Sequence, residues 1–222
     1  MQIIKVKNAD SAIDKAKSLL YKYCNSQTAL FLSGGSTPKA LYQTFSKEQK
    51  LKVRAVALVD ERFGLPMHRD SNEKMISDTG LFDYFKSLKI SIETILNGKD
   101  IENARKDYEE KIENLFNNFK LKIAILGIGE NGHTAGIPAG FNNSKDFVVK
   151  IDNFPSKFKK RITLTFTALE KMDKLIVLVF GDSKKWALEE MFNNGPIEEI
   201  PARFYLKKEV SEKTILITDQ NI

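Results

Sequence analysis

Cysteine occurs once, at Cys24, and histidine twice, at His68 and His133. A single thiol cannot close an internal disulfide, and no Cys/His cluster has metal-ligand spacing. The default compartment for such a chain is the cytoplasm. No apolar run approaches the roughly 20 residues that cross a bilayer, so no membrane partner is expected. Met1-Gln2-Ile3-Ile4-Lys5-Val6 is too short and too polar for a signal peptide. Arginine is scarce, at six residues, with no arginine-rich stripe and no interleaved aromatic platform. The net charge of +6 comes from lysines spread along the chain, usually beside acids as in Glu109-Glu110-Lys111. That pattern reads as solvated surface, not as a nucleic-acid interface, and it leaves room for a basic site that takes an anionic metabolite. Internal repeats, low-complexity segments and linkers are also missing.

What is present suits one α/β domain over residues 1–222. Strands are expected at 3–6, 29–32, 53–59, 90–96, 121–126, 161–166, 175–180 and 214–218. Helices are expected at 10–24, 39–45, in part of 73–85, at 101–119 and after Lys185. The last of these holds Trp186, Leu188, Met191 and Phe192, with Trp186, Met191 and Phe192 read as core. Residues 63–72 read as a polar loop with His68 exposed, 142–160 as a surface loop or short hairpin, and 200–203 as loop. Strands alternating with helices imply a Rossmann-like, doubly wound, mostly parallel sheet with helices on both faces. Ligands of such sheets bind outside the carboxyl ends of the strands.

Four apolar runs end in polar or glycine-bearing motifs, after Leu32, Val59, Leu126 and Phe180, and loops at one sheet edge can converge on one pocket. The central motif is Gly127-Ile128-Gly129-Glu130-Asn131-Gly132-His133-Thr134-Ala135-Gly136. Histidine is the side chain suited to proton transfer near neutral pH, and the glycines let the backbone turn and a ligand approach. Ser33-Gly34-Gly35-Ser36-Thr37-Pro38 has the parts of a phosphate cradle: bare N–H groups, hydroxyls, Thr37 as a helix cap and Pro38 in the first turn. It lacks the Walker spacing, and an ordinary capped β-to-α turn would look the same. Asp60-Glu61-Arg62 offers a carboxylate to orient a hydroxyl or the catalytic group, and a guanidinium to bind an anion, or else surface charge. Asn72 is a hydrogen-bonding candidate, although Ser71-Asn72 would equally cap the next helix. Arg161 sits at a second sheet edge. Lys184 lies in the first turn of a helix, where a bound anion would offset its unfavourable place in the helix dipole.

Taken in order, Ser-Gly-Gly-Ser-Thr-Pro, Asp-Glu-Arg with Ser-Asn downstream, Gly-x-Gly-x-x-Gly-His-Thr-Ala, Arg-Ile-Thr-Leu-Thr and Gly-x-x-Lys resemble the 6-phosphogluconolactonases. That family shares a superfamily with the glucosamine-6-phosphate isomerases. Arg62, Arg161 and the acid-free Gly136-Ile137-Pro138 are similar to the lactonase branch, whereas isomerases follow their histidine with an Asn-Glu-Pro segment. Gly64-Leu65-Pro66, Gly195-Pro196 and Ile200-Pro201-Ala202 look more like the isomerases. Asn131 stands where both branches usually carry aspartate, and Ile137-Pro138-Ala139-Gly140 replaces the lactonase Leu-Phe-Pro.

The resemblance implies a small-molecule sugar-phosphate substrate and hydrolysis of 6-phosphoglucono-δ-lactone, with no metal or organic cofactor. His133 and Asp60 are the expected catalytic residues. Gly34, Gly35, Ser36, Thr37, Arg62, Asn72, Arg161 and Lys184 are the expected substrate-binding residues. The alternatives are a glucosamine-6-phosphate isomerase/deaminase and a non-catalytic sugar-phosphate sensor. Sensors usually carry a fused DNA-binding segment, which these residues leave no room for. The oligomeric state is not legible.

Overall fold

In a computed structural model that describes residues 1–221, a seven-stranded parallel sheet forms the centre. Ile222, the last residue of the expected domain, lies outside the described residues. The chain runs β1 (Gln2–Lys5), α1 (Ala9–Tyr23), β2 (Thr28–Leu32), α2 (Ser36–Glu48), β3 (Ala55–Leu58) and β4 (Asp60–Arg62). It continues through α3 (Asn72–Ser77), α4 (Leu81–Ser87), β5 (Ser91–Glu93), α5 (Ile101–Asn118) and β6 (Leu121–Gly127). Then come β7 (Val148–Ile151), β8 (Arg161–Leu164), α6 (Phe166–Glu170), β9 (Lys174–Val179), α7 (Lys185–Phe192), α8 (Lys208–Ser211) and β10 (Thr214–Thr218). Among the described residues no helix is long and apolar enough to cross a membrane.

The sheet order is β1-β10-β9-β6-β2-β3-β5. Every residue of β2, β3 and β10 is buried. Successive side chains of a strand point to opposite faces, so full burial means that both faces are covered, as a doubly wound sheet requires. From β2 the chain works outward through β3 and β5, then returns to β6 on the other side of β2 and works outward again through β9 and β10. The β2/β6 seam is therefore the switch point, where the following loops diverge and leave a crevice.

The structure amends several sequence expectations. Asp60-Glu61-Arg62 is not the charged end of the third strand. After Val59 the chain leaves the main sheet, and these residues form β4 in a separate antiparallel sheet, β4-β8-β7. The 142–160 stretch contains β7, which pairs with β8 as a hairpin. Glu109 of α5 binds it by accepting the N–H groups of Phe147 and Val148 at 2.7 and 2.6 Å. Residues 200–203 belong largely to a buried 3-10 helix, Pro201–Leu206, whose Ala202 N–H is bonded to Gly132 O at 2.9 Å. Met191 is core, but Trp186 and Phe192 are exposed because they lie on the outer side of α7. His68 is half-buried, its Nε2 3.0 Å from Arg62 O.

Candidate active site

The four strand-end motifs converge on one cavity of about 250 Å³. Its wall includes Gly34, Gly35, Ser36, Thr37, Asp60, Arg62, Asn72, His133, Arg161 and Lys184, which are all ten residues singled out in the sequence.

The cradle forms because β2 ends at Leu32 and Ser33 still bonds Ile125 O of β6 at 3.2 Å. Gly35 then takes φ +113°, open only to glycine at low cost, and α2 begins at Ser36, three residues earlier than the apolar spacing predicts. Gly35 occupies the N-cap position, so Thr37 is inside the first turn and is not the cap. No side chain caps α2 and no acid sits in its first turn. Its opening N–H groups thus lack the usual oxygen partner, the condition under which a helix start receives an anion. Gly34 is required by space, since a Cβ there would lie 1.8 Å from Asn72 Oδ1.

The second sheet supplies the charges. In its register Arg62 faces Arg161 and Asp60 faces Thr163, while Glu61 faces Ile162. Period-two alternation puts Asp60, Arg62 and Arg161 on the cavity side and Glu61 on the other. Like charges directly opposed are unfavourable, so two arginines in register call for a counter-anion. Asp60 Oδ2 answers Arg161 Nη1 at 3.2 Å. Asn72 Nδ2 donates to Asp60 O at 2.8 Å. Arg62 Nη1 donates to Asp70 O at 2.8 Å. Glu61, fully buried, accepts the N–H groups of Arg62, Asn72 and Glu73 at 2.7, 2.7 and 2.8 Å. Burial raises its carboxyl to about 7 even though those three donors act to lower it. Its task is to join β4 to α3, which Ser71 caps through Lys74 N–H while Asn72 points into the cavity.

His133 sits in a loop closed by Gly129 N–H to His133 O at 2.8 Å and Gly132 N–H to Gly129 O at 3.0 Å. Thr134 Oγ1 donates to Gly127 O at 3.0 Å and touches the buried Tyr205 hydroxyl. A Cβ on Gly129 would fall 1.9 Å from His133 Cε1, so this glycine makes room for the ring. His133 Nδ1 lies 2.5 Å from Asn131 Oδ1. An amide oxygen only accepts, so Nδ1 carries the proton and Nε2 keeps its lone pair. Burial first, then the charges of Arg161, Lys184 and Arg62, lower the imidazole to about 4. The ring is therefore neutral at physiological pH and free to accept a proton. Lys184 ends a 3-10 turn, Asp182–Lys184, just before α7, and its Nζ is 4.0 Å from the exposed Glu130.

Among the described residues, five buried side-chain polar atoms lack a partner, and four of them belong to the cavity wall: Ser33 Oγ, Arg62 Nε, Asn72 Oδ1 and Arg161 Nε. Native proteins leave few such atoms, and their concentration here marks a surface built to meet a polar ligand. Three cations and one carboxylate line the space, so that ligand is an anion. No group of three His, Cys, Asp or Glu residues gathers as metal ligands among the described residues.

The sequence profile of the glucosamine-6-phosphate isomerases/6-phosphogluconolactonases matches residues 6–216. The chain belongs to this family. A 6-phosphogluconolactonase of Thermotoga maritima is 32% identical over 207 residues, covering 90% of each chain. A glucosamine-6-phosphate deaminase of Enterococcus faecalis is 30% identical over 223 residues, covering 91% of each. The crystal structure of the T. maritima 6-phosphogluconolactonase superposes with a TM-score of 0.78 at 27% identity over 97% of both chains. The family thus fixes the fold and the sugar-phosphate class. 6-Phosphogluconolactonases predominate among the similar curated proteins, with glucosamine-6-phosphate deaminase in the minority.

Phe154 is the site neighbour that sequence reading missed. Its ring meets His133 edge-on at 5.0 Å and lies 3.6 Å from the Arg161 guanidinium carbon. The available signal was Phe154 and Phe158 standing in the otherwise polar stretch 152–160.

Proposed function

We propose that this family member hydrolyses 6-phosphoglucono-δ-lactone to 6-phosphogluconate, with His133 as general base. The observation that carries the reading is the poverty of proton-transfer groups. Among the described residues, Asp60 is the sole carboxylate on the cavity wall, already paired with Arg161, and the sole hydrogen-bond partner of the His133 ring is an amide. Opening a lactone needs one base, a held phosphate and a charge to meet the oxyanion. Isomerisation with loss of ammonia needs further acid–base groups at the ring oxygen and the amine.

In this reading the phosphate lies against the Gly34–Thr37 backbone and the α2 start, met by Lys184 and Arg161. His133 Nε2 takes a proton as water oxygen bonds to C1. Arg62, whose Nε has no protein partner, meets the carbonyl oxygen as it becomes negative. The C1–ring-oxygen bond then breaks, and the imidazolium returns its proton to the departing oxygen. Asp60 holds Arg161 and, with Asn72, faces the sugar hydroxyls. Residues 1–222 act as one sugar-phosphate-binding domain, in the cytoplasm. The test is acid release from fresh lactone alongside ammonia release from glucosamine 6-phosphate. Lactone opening well above the spontaneous rate supports the assignment. Ammonia instead moves the chain to the isomerase branch, and silence in both with sugar phosphate still bound makes it a sensor.

A further inference from the structure

Phe154 is buried, at 3% exposure, yet it stands apart from the hydrophobic core. Prolines aside, every other buried apolar side chain among the described residues belongs to the single core cluster. Filling space in that core is therefore not its role. Its ring stands perpendicular to that of His133, with ring planes at 87° and centroids 5.0 Å apart, and presents a face to the Arg161 guanidinium. Arg161 in turn has few other restraints: Asp60 at 3.2 Å, Ser156 Oγ at 3.4 Å, and an Nε with no partner. The loop bearing Phe154 closes on itself, with Phe154 N–H to Lys159 O at 2.8 Å and Ser156 N–H to Phe154 O at 2.7 Å. The ring is thus held from behind by backbone while it touches the base and the anion-binding arginine in front.

We infer that Phe154 is a positioning residue shared by His133 and Arg161, fixing the guanidinium plane through its face and keeping water from the imidazole through its perpendicular contact. A cation stacked on an aromatic face is held in one orientation, and the flat contact leaves its N–H edge free for an anion. An apolar ring against imidazole removes solvent that would stabilise the charged form. The groups that set the charge around His133 are Arg161 from β8, Arg62 from β4 and Lys184 from the turn after β9. Asp60 answers the first of these and Glu130 the last.

The inference rests on the roles proposed above for His133 and Arg161, so its test is read without turnover. Phe154→Leu keeps the apolar volume and loses the aromatic face; Phe154→Ala loses both. The His133 imidazole is titrated by NMR, and the affinity for inorganic phosphate is measured by calorimetry. In Phe154→Leu phosphate affinity should fall about 3- to 10-fold while the imidazole still titrates low. In Phe154→Ala affinity should fall at least as far, and the imidazole should rise from about 4 toward its ordinary value. Unchanged phosphate affinity and an unchanged titration in both variants, with only a lower melting temperature, would overturn the inference. Wild-type protein that binds phosphate but opens no lactone would refute the proposed activity and leave these two readouts intact.

Discussion

Replacing Asn131 by aspartate puts a full negative charge where a neutral amide oxygen now accepts the His133 Nδ1 proton at 2.5 Å. The tautomer is unchanged, since both groups accept from Nδ1–H, so the substitution alters charge and little else. Two unit charges about 4 Å apart interact by roughly 1 kcal/mol in water and roughly 4 kcal/mol at the effective dielectric of a protein surface. At about 1.4 kcal/mol per pKa unit this is a rise of about 1–3 units. Asn131 is exposed, so the lower part of that range applies, about 1–2 units. His133, starting from about 4, then titrates between about 5 and 6. The protein has only two histidines, so NMR of the imidazole C–H signals follows the shift directly, and His68→Gln assigns the second signal. A base closer to neutral pH is also a better one, so kcat at pH 7 should rise by about 3- to 10-fold. A His133 titration that stays within about 0.3 unit of wild type would refute the Asn131–His133 contact and the base geometry built on it.

Gly129→Ala places a methyl where the His133 ring now lies and should lower kcat about 100-fold in a protein that still melts cooperatively by circular dichroism. Arg161→Met strands the buried Asp60 carboxylate and should cost about 3–5 kcal/mol in urea unfolding; Asp60→Asn in the same chain should recover much of the loss. His133 is held below its ordinary value, so it is neutral and active above its folded pKa and becomes protonated as pH falls. The acid limb of kcat/KM should therefore lie near 4 once the substrate phosphate's own ionisation near pH 6 is allowed for. The kcat limb should lie higher, because bound phosphate offsets Arg161 and Lys184; coincident limbs would contradict that charge arrangement.

Most of the main sheet was legible because its strands are continuous apolar runs, as strands buried on both faces must be. Ile123 to Leu126 and Leu175 to Phe180 are examples. Eight of the ten site residues were legible because they follow such a run and strand ends share an edge; Arg161 and Asn72 follow none. The second sheet was not. Asp60-Glu61-Arg62 has no apolar pattern of its own, and its pairing with Arg161–Thr163 spans about a hundred residues that no local signal connects. The start of α2 was misplaced because Ser36 and Thr37 are polar, and a helix that opens on a cavity need not begin with an apolar residue. Trp186 and Phe192 were misassigned because α7 turns its outer face to solvent, and hydrophobicity alone does not give the direction. Phe154 escaped notice because it packs on polar side chains, where periodicity is silent.

The central claim is that one uncharged histidine opens a lactone. The most direct test is acid release from freshly prepared 6-phosphoglucono-δ-lactone by wild type and by His133→Ala, with binding of 6-phosphogluconate measured on both. The account predicts hydrolysis well above the spontaneous rate in wild type, a loss of about 100-fold or more in the variant, and product affinity largely retained. A variant that hydrolyses the lactone as fast as wild type would contradict it.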